Sequence, residues 1–201
     1  MGKIISFEGI HGSGKTTQAK LIEKYLENKF AEVSYIASSD KPLSKYGMQF
    51  IEDNGKQDSE TLFYLSMANN FSLANQIKKS DGVFIIDRYI HTDMASTLLI
   101  KKSIDWIKSC VSPFILPEAT YLIDTPPEEA LKRKNWHFSN LEKGGYQRGW
   151  KGEGFIEYQS KLRSAYLELY KSGEKMIIID GNKKEEVIHK EIISSLEEIL
   201  K

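Results

Sequence analysis

An eight-residue pattern near the N-terminus, Gly9-Ile10-His11-Gly12-Ser13-Gly14-Lys15-Thr16, constrains this chain more than any other feature. It fills every defined position of G-x-x-x-x-G-K-[ST]. Glycines let main-chain N–H groups turn inward around phosphate oxygens, and a helix starting at the end of the pattern aims its positive dipole end at the same anion. The pattern therefore needs a strand before it and a helix after it. Both are legible: Ile4-Ile5-Ser6-Phe7 reads as a buried strand, and Leu21, Ile22, Tyr25 and Leu26 recur at helical spacing. Lys15 is expected to reach the β- and γ-phosphates of a nucleoside triphosphate, and the Thr16 hydroxyl to ligate Mg²⁺. Gly9, His11, Gly12, Ser13, Gly14 and Thr17 complete the expected cradle.

The rest of the chain alternates short apolar runs with helical stretches, the signature of a parallel α/β sheet. Strands are expected at Val33–Ala37, Val83–Ile86, Thr120–Ile123 and Met176–Ile179, giving five parallel strands with helices on both faces. Ser38–Pro42 reads as a loop, 44–53 and 58–78 as helices, and Lys184–Leu200 as a final helix with an apolar stripe of Val187, Ile188, Ile192, Leu196 and Ile199. The 201 residues, 40% of them hydrophobic, suffice for one domain spanning 1–201. Equal numbers of basic and acidic residues, 28 each, give no net field toward nucleic acid or a membrane surface. A single cysteine, Cys110, fits a reducing cytoplasmic setting, and no apolar run nears the roughly 20 residues of a membrane span.

Two further features point to chemistry. Asp87-Arg88-Tyr89 closes the clearest interior strand, where ligands of open α/β sheets bind. Asp87 is placed to hold Mg²⁺ through water, and Arg88 to fork onto an acceptor phosphate; the plainer reading is a surface ion pair. Between Asn135 and Gly154 lie five glycines and scattered cations with little apolar periodicity. That segment, about 135–154, reads as a lid over the site or else as a surface insertion. Arg148 is the first candidate for a catalytic lid cation beside Lys15 and Arg88, with Lys151 and Lys143 behind it.

The ordered set of motifs resembles the thymidylate kinase family, in particular its divergent, archaeal-like members. The residues that carry the resemblance are Phe7–Gln18, Asp87-Arg88-Tyr89, Leu116–Asp124, Pro127–Arg133, Phe155–Gln159 and Ile179–Asn182. The resemblance implies a P-loop NTPase fold and the ATP- and Mg²⁺-dependent conversion of dTMP to dTDP, usually in a homodimer. It places Arg133 beside the nucleotide and Gly181 and Asn182 along the adenine. It also places Glu8 with Asp87 in the carboxylate environment of the metal, and Glu8, Arg88, Tyr89 and Tyr158 around the acceptor. In-line transfer from ATP to an anionic phosphate oxygen then needs positioning and charge neutralisation and no strong base.

The departures from the family concern the acceptor. His11 stands where typical members carry an Asp that holds the deoxyribose 3′-hydroxyl; its plainer reading is an exposed loop residue. No arginine occurs before Arg88, although the family places one after strand two and another on the helix before Asp-Arg-Tyr. Lys41 stands near the first position as a phosphate cation without a bidentate fork. Asn70 and Phe71 stand near the second, offering an amide to a pyrimidine edge and a ring to stack, or else ordinary helix packing. Kinases of other pyrimidine nucleotides or of deoxynucleosides are the nearest alternatives, with Glu8 as the base a nucleoside hydroxyl would need. A nucleotide-gated switch is disfavoured, because Asn182-Lys183-Lys184-Glu185 misses the last residue of the guanine-reading Asn-Lys-x-Asp.

Overall fold

Mostly apolar runs form the sheet, and the polar Ser6 and Thr120 within them bond each other. In the computed structural model, which describes residues 1–54, 59–139, 142–144 and 152–200, β1 (Lys3–Glu8) is followed by α1 (Lys15–Glu27) and β2 (Val33–Ile36). Then come α2 (Ser44–Asn54), α3 (Ser59–Ile77), β3 (Val83–Asp87), α4 (Ile90–Leu98) and α5 (Ile104–Val111). The chain continues through β4 (Ala119–Asp124), α6 (Pro127–Arg133), α7 (Glu153–Lys171), β5 (Ile177–Asp180) and α8 (Glu185–Ile199). The strands pair in the order β2-β3-β1-β4-β5, every pairing parallel. The five-stranded parallel sheet read from the sequence is the one observed.

Successive residues of a strand point to opposite faces, and both faces are covered. Ile4, Ile86 and Leu122 pack with Met94, Leu162, Tyr166 and Leu169 from α4 and α7. Ile5, Phe7, Ile85, Tyr121 and Ile123 pack with Ala19, Ile22 and Leu26 of α1 and Ile188, Ile192 and Leu196 of α8. The apolar stripe of α8 is narrower than its sequence suggests: Val187 and Ile199 are 43% and 38% exposed, on its flanks. Ser38–Asp40 forms a short 3-10 turn where a loop was expected, and α7 begins at Glu153, so the last two residues of the 135–154 segment are helical.

The consequence for function lies at one edge. Four parallel strands end on acids at the same side of the sheet: Glu8, Asp87, Asp124 and Asp180. Ligands of open α/β sheets bind outside the carboxyl ends of the strands, near where the strand order reverses. Here the order reverses around β1, whose end runs directly into the phosphate loop. Among the described residues, no helix is long and apolar enough to cross a membrane.

Candidate active site

The phosphate loop is built to wrap an anion. Gly12 and Gly14 hold φ of 79° and 98°, backbone that side-chain-bearing residues rarely adopt. A Cβ on Gly12 would also fall 2.6 Å from the Ala130 carbonyl, so the loop lies tightly on α6. Gly14 is the N-cap of α1 and offers no side chain to its first N–H groups, which leaves them for a ligand. Inside the cradle the Ser13 hydroxyl is buried with no partner among the described residues, and a phosphate oxygen would satisfy it. Lys15 is buried with its Nζ 3.3 Å from the Ile10 carbonyl. Burial, and then the nearby Arg88 guanidinium, push this ammonium down to about 7, with Asp87 and Glu8 pulling back.

Beside the loop lies a cleft of about 500 Å³ lined by Gly12–Gln18, Arg133, Lys134, Lys183 and Ile188. Arg133 clips its walls together, donating to the Gly181 carbonyl at 2.8 Å and the Ser13 carbonyl at 3.4 Å. Gly181 has no room for a side chain, since a Cβ would fall 1.9 Å from Thr125 Oγ1. Asn182 is exposed, and its N–H donates to Asp180 Oδ1 at 2.9 Å. Thr16 and Thr17 are exposed along the same cleft. The Thr16 hydroxyl donates to Asp87 Oδ2 at 2.5 Å, and Tyr35 OH reaches the same oxygen at 3.3 Å. A hydroxyl and a carboxylate side by side are hard oxygen donors suited to Mg²⁺. Among the described residues no group of three or more His, Cys, Asp or Glu could hold a metal. An ion here would therefore rely on water and phosphate oxygens for its remaining ligands, as Mg²⁺ does.

Arg88 faces the loop from β3. Its φ is 70°, its N–H donates to the Phe7 carbonyl at 3.0 Å, and its Nη1 lies 3.3 Å from Thr92 Oγ1 and 3.4 Å from Tyr166 OH. Its Nη2 is buried with no hydrogen-bond partner among the described residues. Half of a guanidinium fork is thus anchored and the other half awaits an acceptor.

Glu8 ends β1 beside the Asp87-Arg88-Tyr89 turn. Its buried carboxylate accepts from Tyr89 N–H at 2.8 Å, from the Thr92 hydroxyl at 2.5 Å and from Tyr166 OH at 3.3 Å. Those three donors anchor the Asp87-Arg88-Tyr89 turn to α4 and α7. Tyr89 is buried in the core, and among the described residues its hydroxyl has no hydrogen-bond partner.

Lys41 and Asn70 come together. Lys41 Nζ donates to Asn70 Oδ1 at 2.6 Å, and Asn70 Nδ2 donates to Asp93 Oδ2 at 2.5 Å. Both are buried, and both ends of the Asn70 amide are engaged. Burial lowers the proton affinity of Lys41 and pushes the Asp93 carboxyl up to about 6, each against the pull of the other. Phe71 is 43% exposed and packs edge-to-face on Phe114. Tyr158 lies against Gly144, where a Cβ would fall 2.3 Å from its ring. Arg148 and Lys151, the first two lid cations, lie outside the described residues, whereas Lys143 is described and half-buried.

His11 is not a free loop residue. Its Nδ1 lies 3.3 Å from Glu142 Oε1, and its N–H donates to Gln159 Oε1 at 3.1 Å. Burial, and then Arg88, lower the imidazole to about 3, more than Glu142 raises it. Burial opposes ionisation of Glu142, yet bonds from His11, Lys134 and Ser139 hold its carboxyl well below the usual range. The sign for His11 follows from linkage. The unfolded chain binds a proton near the ordinary 6.5 while the folded chain resists it to about 3, so stability falls as pH drops through that window. The His11→Asn chain is expected to lose less stability than wild type between about pH 7 and pH 5, by under about 1 kcal/mol since the ring is partly exposed. Thermal unfolding of both chains at the two pH values measures this; equal slopes would contradict it.

Sequence reasoning missed Thr92, Asp93, Lys134, Glu142, Gln159 and Tyr166. It also missed the Arg163–Asp124 pair, bidentate at 2.6 and 2.8 Å at the end of β4. A signal existed on α7: Gln159 and Tyr166 interrupt the buried stripe of Phe155, Leu162 and Leu169 at helical spacing. Polar residues inside an apolar stripe mark either a satisfied core network or a site, and here they serve both.

The family model for thymidylate kinase matches residues 7–192. The chain belongs to the thymidylate kinase family. A probable thymidylate kinase of Sulfolobus acidocaldarius is 33% identical over 90% of this chain and 89% of its own length. A thymidylate kinase of Fervidobacterium nodosum is 30% identical over 94% of this chain and 95% of its own length. Among solved structures, the thymidylate kinase of Candida albicans superposes with a TM-score of 0.75 over 98% of this chain and 91% of its own, at 23% identity. That likeness speaks for the P-loop NTPase fold. The match to the thymidylate kinase family runs from the end of β1 into α8, so it takes in the phosphate loop, the Asp87–Tyr89 turn and the Arg133 clip together.

Proposed function

We propose that the chain transfers the γ-phosphoryl group of ATP to a nucleoside monophosphate, dTMP in the first place, giving ADP and dTDP. The observation that carries this reading is the pairing of Lys15 with Arg88. Two buried cations stand close enough for Arg88 to depress the Lys15 proton affinity, and Arg88 Nη2 has no partner among the described residues. Such an arrangement is unfavourable when empty and favourable around anions on both sides, a donor triphosphate on the loop and an acceptor phosphate on Arg88. Thr16 and Asp87 are the residues that would hold Mg²⁺, which would supply charge neutralisation to the phosphates when bound.

The chain's own groups do the rest by position. The loop N–H groups and Ser13 orient the donor, Lys15 follows the charge that spreads over the transferring group, and the Arg88 fork aligns the acceptor oxygen. Lys41 is a second cation for the acceptor. The segment 135–154 closes over the site, with Arg148 foremost among its cations. The enzyme works in the cytoplasm as a homodimer, a state that sedimentation would report.

Glu8 bears on the rival reading. A nucleoside acceptor requires a base for its hydroxyl proton, and the Glu8 carboxylate is taken up by three donors. An acceptor that arrives already phosphorylated needs no such base. ADP release with dTMP, dUMP, UMP, CMP and thymidine tests both readings. Stimulation by dTMP well above that by thymidine is expected. Equal turnover of thymidine, or hydrolysis that no acceptor stimulates, would reject the proposal.

A further inference from the structure

The Ser13 carbonyl is held from the core side of the phosphate loop. Thr125, the fully buried residue after β4, donates its hydroxyl to that oxygen at 3.1 Å, and Arg133 Nη1 reaches the same oxygen at 3.4 Å. A carbonyl can only accept, so the single hydroxyl hydrogen of Thr125 must lie in this bond. The neighbours of Thr125 keep it in place. Gly181 leaves the room its hydroxyl occupies, since a Cβ there would fall 1.9 Å from Thr125 Oγ1. The end of β4 is tied on both sides, the Asp124 carbonyl accepting from Gly181 N–H at 2.8 Å and the Asp124 carboxylate pairing with Arg163.

This carbonyl matters because of the N–H that shares its peptide. The group is planar and trans, so Ser13 C=O and Gly14 N–H point in opposite directions. Turning the plane over changes chiefly ψ of Ser13 and φ of Gly14. Glycine takes φ of either sign, so the backbone at Gly14, with φ of 98°, does not by itself hold one orientation. A constraint from outside the loop has to do so. Gly14 lines the cleft, whereas the Thr125 hydroxyl lies behind the loop in the core. We propose that Thr125 is a positioning residue for the donor site: by holding the Ser13 carbonyl toward the core, it keeps the Gly14 N–H turned out to the cleft, where a phosphate oxygen of the donor accepts from it. This rests on the reading of the loop as the ATP site. Thr125 touches no phosphate and acts only through this one peptide.

Thr125→Val keeps the branched shape and removes the hydroxyl, and Thr125→Ser keeps the hydroxyl. Calorimetry with Mg·ATP should show binding about tenfold weaker in Thr125→Val, the worth of one hydrogen bond to a charged oxygen, and within about twofold of wild type in Thr125→Ser. In turnover, KM for ATP should rise in Thr125→Val by the same factor while kcat and KM for dTMP hold, because an N–H that grips ground and transition states alike contributes uniform binding. The Gly14 amide gives a readout that loosened packing would not reproduce. Mg·ADP should move its proton resonance downfield in wild type and Thr125→Ser, and by much less in Thr125→Val. Without nucleotide, the residual dipolar coupling of Gly14 N–H should agree between wild type and Thr125→Ser and differ in Thr125→Val. A Thr125→Val chain that bound Mg·ATP as wild type does, or kept the wild-type coupling and shift at Gly14, would overturn the proposal, with Arg133 alone sufficing to hold the carbonyl. A wild-type chain that gave no heat with Mg·ATP would instead reject the donor site, while the nucleotide-free coupling would still decide whether Thr125 sets this peptide.

Discussion

Lys15→Ala is expected to lower kcat at saturating ATP and dTMP by about 10³-fold or more, while the folded chain stays as stable as wild type. The reason lies in what surrounds the ammonium. Lys15 is buried at the base of the phosphate loop, and its Nζ has the Ile10 carbonyl at 3.3 Å and a second cation, Arg88, nearby. Burial and Arg88 disfavour this charge, so deleting it relieves desolvation and repulsion that offset the lost packing of the methylenes. In the transition state the same charge meets the oxygens of the transferring group in a water-poor cleft, where one preorganised donor is worth about 10²- to 10³-fold and a full charge more. Chemistry and folding thus pull in opposite directions at this residue, as a site built for a ligand requires. Single-turnover phosphoryl transfer and thermal unfolding of the two chains separate the terms. A variant that retained more than about a tenth of the wild-type kcat would show that Lys15 does not follow the reacting phosphate.

The sequence made the scaffold of this site legible because physics leaves little choice there. The phosphate loop needs glycine where φ is positive, lysine at its end and a strand and helix on either side, and Gly12, Gly14 and Lys15 stand where that logic puts them. The strand-end acids Asp87 and Asp124 were readable from apolar runs that stop on a charge. The wiring between elements was not. Glu8 could be placed at the end of β1, but its partners Thr92 and Tyr166 come from α4 and α7, far along the chain. Asn70 could be placed near an acceptor, but adjacency in sequence does not reveal that Lys41 and Asp93 take up both ends of its amide. Helix α4 itself went unread because His91, Thr92 and Asp93 break its apolar spacing, and Thr92 and Asp93 do so because buried polar partners on other elements meet them. Glu142 gave no sequence signal at all, since a lone acid among glycines reads as a solvated loop.

Arg88 brings strain and chemistry together in one residue, and two substitutions pull them apart. Its φ of 70° puts a side-chain-bearing residue in the left-handed region, at a cost of about 1 kcal/mol or more. The turn is forced from both sides: Arg88 N–H is bonded to the Phe7 carbonyl at 3.0 Å and Tyr89 N–H to Glu8 at 2.8 Å, which fixes the chain direction as β3 ends. Both Arg88→Ala and Arg88→Gly remove the guanidinium, so both should lower kcat/KM for dTMP by about 10³-fold, the scale of removing an aligned cation from phosphoryl transfer. Only glycine relieves the backbone, since it occupies positive φ without a Cβ penalty. Arg88→Gly should therefore unfold at higher denaturant than Arg88→Ala, by about 1 kcal/mol, with the loss of the buried guanidinium cancelling between them. Arg88→Lys keeps a charge but not the fork, and should recover part of the lost activity without restoring it. Equal stability of the Ala and Gly chains would mean that the turn carries no strain. Turnover within about tenfold of wild type in either would mean that the unpaired Nη2 faces something other than the acceptor phosphate.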